Sequence, residues 1–139
     1  MNRTRKLFVF SSILLSILVI KCDYDIKNDC SSVMCTMEFR SITVLIKHRT
    51  DSTYYKLTDY RVNRVSDNMD ITVNQTNISD YSGYYPVVDD TKKDLFINRV
   101  VEVEFKGYLN DAIIIQKRFL VTADCCHISL VEGDTKFYI

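Results

Sequence analysis

The sequence predicts an all-β fold: an antiparallel β-sandwich of about seven to eight short strands behind an N-terminal signal segment. Three observations lead there. Val101, Val103 and Phe105 alternate with Glu102, Glu104 and Lys106, the period-two pattern of a strand with one buried and one wet face. Short apolar runs recur with polar turns between them, and no convincing helical period follows the leader. The chain of 139 residues, 47% hydrophobic and 26% charged, is sized for one globular domain.

The leader spans residues 1–21. Arg3, Arg5 and Lys6 form a positive start, and Leu7 to Ile20 is an uncharged apolar run. That run is shorter than the roughly 20 residues a membrane-spanning helix needs, so it reads as a signal peptide and not as an anchor. Its removal takes away four cations and no acid, which lowers the formal charge from 0 to −4. An acidic mature chain is not expected to bind nucleic acid, whose phosphates call for a basic patch. It is equally unsuited to electrostatic attachment to anionic lipid.

Residues 22–37 read as a polar tether carrying Cys30 and Cys35, and residues 38–139 as the sandwich domain. Ile42, Val44 and Ile46 alternate with Thr43, Leu45 and Lys47 in a first strand, Ser41 to His48, and Arg49 to Thr53 form a loop. Tyr54 to Val65 is a weaker strand, broken at Asp67-Asn68, and Met69 to Val73 is another short one. Asn74 to Asp80 is polar, and its sequons at Asn74 and Asn77 would take glycan on a eukaryotic secretory route. A turn at Asp80 to Tyr85 enters a strand through Val88, and Asp89 to Asp94 is a charged turn.

The central hairpin runs from Asn98 to Ala123 and turns at Leu109-Asn110-Asp111. Its second arm holds Ile113, Ile114 and Ile115 in succession, which predicts a strand inside its sheet and covered on both faces. Ala123 to His127 makes a corner. His127 to Val131 and Thr135 to Ile139 then close the chain as two short strands around Glu132-Gly133-Asp134.

Leu18-Val19-Ile20-Lys21-Cys22 resembles the lipobox of bacterial lipoproteins, although Lys21 stands where that family has a small residue. The resemblance implies a diacylglyceryl group on Cys22, which becomes the first mature residue, and hence a membrane as partner in the cell envelope. Asp80-Tyr81-Ser82-Gly83-Tyr84-Tyr85, Phe105-Lys106-Gly107-Tyr108 and Ala123-Asp124-Cys125-Cys126-His127 are similar to segments of carboxypeptidase-regulatory-like domains. That family implies a transthyretin-like sandwich, related in shape to immunoglobulin-like ones, over roughly Ser41 to Ile139. The family's usual Asp-x-x-Gly-x-Pro turn after the first strand has no counterpart in Arg49-Thr50-Asp51-Ser52.

With Cys22 assigned to lipid, Cys30, Cys35, Cys125 and Cys126 remain, an even number suited to an oxidising compartment. A bond between adjacent cysteines is strained. This favours the two pairings that tie the tether to the corner and leaves open which of them forms. A zinc site on these four cysteines and His127 lacks the usual C-x₂-C spacing. A thiol nucleophile at Cys125 or Cys126 with His48 or His127 as base has no support in its flanks. Asp89, Asp90 and Asp94 offer calcium ligands, but Lys92 and Lys93 among them favour a self-neutralised turn. Tyr81, Tyr84 and Tyr85 offer an aromatic surface for a sugar or protein partner, with at least one of them expected in the core. The expectation is a non-enzymatic envelope lipoprotein that needs no cofactor and presents an interaction surface to an unknown protein or glycan. The alternative is a soluble secreted glycoprotein, viral or eukaryotic, that binds a host protein.

Overall fold

The computed structural model describes residues 30–73 and 83–139. Among these residues it is a mostly β structure of seven strands in two packed sheets. The strands are β1 (Ser41–Lys47), β2 (Asp59–Arg64), β3 (Tyr84–Asp89), β4 (Val101–Leu109), β5 (Ala112–Ala123), β6 (Ile128–Glu132) and β7 (Lys136–Tyr138). One sheet has the order β3-β1-β7 and the other β2-β4-β5-β6.

The β4–β5 hairpin closes as expected. Leu109 pairs with Ala112, and the two residues between them, Asn110 and Asp111, have φ of 50° and 67°. Positive φ at both central positions gives a turn whose twist matches the flanking strands, and Asn and Asp are the non-glycine residues that tolerate it best. Val103, Phe105, Ile115, Phe119 and Val121 face inward from this hairpin. They meet Val44, Ile46, Tyr85 and Val87 of the other sheet in one apolar core. Tyr60, Tyr85 and Phe105 form its aromatic centre, with ring centroids 5.6 to 6.5 Å apart.

Several expectations are corrected. β5 does lie inside its sheet, but only one of its faces is covered: Ile115 is buried, Ile114 half-buried and Ile113 exposed. The outer face of the sheet carries Glu102, Glu104, Gln116 and Arg118 instead, held together by hydrogen bonds and ion pairs. The strand buried on both faces is β3, where Val87 and Val88 are both fully buried. Pro86 is tolerated there because β3 is an edge strand and the register shifts beside it.

The charged turn after Val88 is a 3-10 helix, Asp90–Leu95, capped by the Asp89 side chain, which accepts from Thr91 N–H at 3.0 Å. The weaker strand at 54–65 shortens to β2. Residues 69–73 form no named strand; Asp70 bridges Asn63, and Ile71 is buried in the core.

The sandwich is also not wholly antiparallel. Glu132-Gly133-Asp134 does not fold the last two strands onto each other; it carries the chain from one sheet to the other, and β7 pairs parallel with β1. Gly133 has φ of 128° and lies so close to Phe119 that a Cβ there would meet its Cδ1 at 2.6 Å.

Candidate functional site

β1 sets the axis of the molecule. Its seven residues span roughly 20 Å, and chemistry gathers at both of its ends. At the Ser41 end the tether meets the corner after β5. Cys30 is bonded to Cys125 and Cys35 to Cys126, with Cα atoms 5.5 and 5.3 Å apart. This is one of the two pairings left open by the sequence.

Between these crosslinks and the 3-10 helix lies a small polar cluster. His127, 7% exposed, places Nδ1 2.8 Å from Asp90 Oδ2 and Nε2 3.1 Å from Thr36 Oγ1. Asp90 also accepts from Arg40 N–H at 2.8 Å and Ile128 N–H at 2.9 Å. Burial pushes its carboxyl up, but His127 and these backbone donors outweigh it and hold the carboxyl below the usual range. A carboxylate only accepts, so Nδ1 donates to Asp90, and Nε2 shares a hydrogen bond with the Thr36 hydroxyl. Asp124 accepts from Cys126 and His127 N–H at 2.7 Å each, and those bonds lower its carboxyl too.

Hydroxyl, imidazole and carboxylate in this order also occur in nucleophilic catalysis. In this structure Thr36 lies on the tether, His127 on the corner and Asp90 on the helix, so the hydrogen bonds join those three segments. Asp90 therefore serves the tether junction and Asp94 pairs with Lys93 at 2.7 Å; among the described residues no cluster suited to a metal ion forms. The sulfurs considered for zinc or for a thiol nucleophile are bonded in pairs.

At the Lys47 end the surface is aromatic. The loop after β1 doubles back so that Tyr54 bridges Lys47, and Tyr54 packs beside Tyr84 at the start of β3, ring centroids 5.7 Å apart. Tyr54 is 47% exposed and Tyr84 45%. Lys47 Nζ lies 5.2 Å from the Tyr54 ring centroid, a cation over an aromatic face. A hydrogen bond with Tyr54 raises the Tyr84 phenol above its ordinary range. Gly83 makes this packing possible: its φ is 76°, and a Cβ there would meet Ile46 O at 2.8 Å and Tyr54 Cβ at 2.9 Å. His48 packs against Tyr55 with the two rings tilted by 40°, centroids 4.4 Å apart, as part of the same loop.

Of the tyrosines considered for a surface, Tyr84 is exposed, and Tyr85 is the one expected in the core: it is fully buried, with its hydroxyl accepting from Leu57 N–H at 2.7 Å and donating to Tyr55 O at 3.0 Å. Tyr84 and Tyr85 point to opposite faces of β3, and only at the strand's first position is a side chain exposed. Tyr54 was missed because nothing local in the sequence says that the 49–53 loop brings it back to β3. Tyr81, Cys22, Asn74 and Asn77 lie outside the described residues.

Compared with known protein families, curated proteins and solved structures, the chain matches none.

Proposed function

We propose that this chain is a lipid-anchored, non-enzymatic interaction module of a bacterial envelope, held to its membrane through Cys22 and built on a transthyretin-like sandwich of the carboxypeptidase-regulatory-like kind. The observation that supports this reading best is the polarity of the molecule. The tether following Cys22 is fastened at one end of β1 by two disulfides, and the Lys47, Tyr54 and Tyr84 surface sits at the other end. An anchor at one end and an adhesive surface at the other suit a module that reaches out to a protein or glycan partner. The disulfides fit an oxidising compartment outside the cytoplasm.

Fractionation of cells expressing the full chain and its Cys22→Ser variant tests the anchor. The variant is expected to leave the membrane fraction and become soluble. A variant that stays with the membrane contradicts the proposal.

A further inference from the structure

The tether is polar in composition, yet the residues that the disulfides hold in place expose apolar side chains. Met34 is 97% exposed, Met37 fully exposed and Phe39 63% exposed, with Val33 beside them also open to solvent. They are not a loose tail. Cys30 and Cys35 are bonded to the corner, Thr36 is bonded to His127, and Arg40 N–H is bonded to Asp90. Val100, just before β4, is exposed at the same end of the sandwich, since Val101 pairs with Val121 two residues before Ala123 and the corner. Exposed apolar groups fixed to a scaffold mark a contact surface.

We infer that Val33, Met34, Met37 and Phe39 dip into the lipid surface and orient the domain on the membrane. The inference rests on the proposed anchor at Cys22. Cys30 follows Cys22 by eight positions, so the chain between them spans at most about 28 Å. An acylated Cys22 therefore keeps this end of the sandwich at the bilayer. The acyl chains supply attachment. The apolar side chains supply direction, because a sandwich with Met34 and Phe39 in the headgroup layer turns its Tyr54 and Tyr84 surface away from the membrane. Methionine suits this contact, being flexible, apolar and polarizable. The mature charge of −4 excludes attraction to anionic lipid as the driving force, so a zwitterionic bilayer serves equally well.

The chain contains no Trp, so a single substitution creates a unique fluorophore. The full chain carrying Phe39→Trp, and separately Tyr84→Trp, is purified from membranes and reconstituted in phosphatidylcholine vesicles with brominated acyl chains. The expected result is roughly threefold or greater quenching for Phe39→Trp, with blue-shifted emission, and little quenching for Tyr84→Trp. Equal, weak quenching at both positions overturns the inference, and blue-shifted but unquenched emission from Phe39→Trp does so too by showing a protein contact instead. The intact mass of the same sample separates this outcome from the anchor. A lipid adduct without quenching removes the inference and leaves the anchor standing. Without an adduct the anchor reading falls, and the free chain is mixed with the same vesicles: quenching of Phe39→Trp then upholds the lipid contact and its absence overturns it.

Discussion

Tyr84 and Tyr85 are adjacent, identical in type and opposite in role. The Tyr85 hydroxyl satisfies Leu57 N–H and Tyr55 O inside the sandwich, so Tyr85→Phe leaves a buried donor without its partner. A loss of about 1 to 3 kcal/mol is expected in denaturant unfolding. A loss well below this range would show that the hydroxyl is dispensable. Glu104 gives a second test. Lys106, Gln116 and Arg118 all bond its carboxylate on the outer face of the four-stranded sheet and hold it at about 2, against an ordinary value of 4.5. The folded value is depressed, so the ionised cluster stabilises the fold fully above about pH 4.5, and this contribution fades as pH falls toward 2. Melting curves should therefore show Glu104→Gln less stable than the parent at pH 7, with the difference closing between pH 4.5 and 2. A difference independent of pH contradicts the assignment. Residue pattern made Glu104 legible as a wet-face acid, but not its three partners, two of which arrive from β5 across the hairpin register.

At the scale of elements, the crosslinks decide how the tether behaves. The bonded cysteines are 95 and 91 residues apart in sequence. A crosslink closing a loop of that order is worth about 4 to 5 kcal/mol in the chain-entropy picture, whereas the second then closes only a small ring worth about 2. Replacing Cys35 and Cys126 by Ser should thus cost far less than replacing all four, as measured by chemical unfolding without reductant. Equal losses in the two variants would mean that the crosslinks act by some route other than loop closure. The β4–β5 hairpin was readable because alternation, turn chemistry and strand length agreed locally. β7 was not: its residues announce a strand, but its parallel pairing with β1 depends on Gly133 carrying the chain between sheets. Ile113 to Ile115 misled for a related reason, since a short apolar run does not say whether a third layer exists to cover it.

For the whole molecule, a two-sheet sandwich followed from the spacing of apolar runs, and the structure has that form. Its two unlike ends did not follow. They depend on which loops meet: residues 30–40 with 90 and 124–128 at one end, residues 47–54 with 83 and 84 at the other. The proposed function uses both ends, and it stands or falls with the fate of Cys22. Intact mass spectrometry of the mature chain, extracted from membranes without reductant, addresses this most directly. The account predicts a chain beginning at Cys22 with a diacylglyceryl adduct and two disulfides. A chain retaining residues 1–21, or one with an unmodified Cys22 and glycan on Asn74 or Asn77, would contradict it.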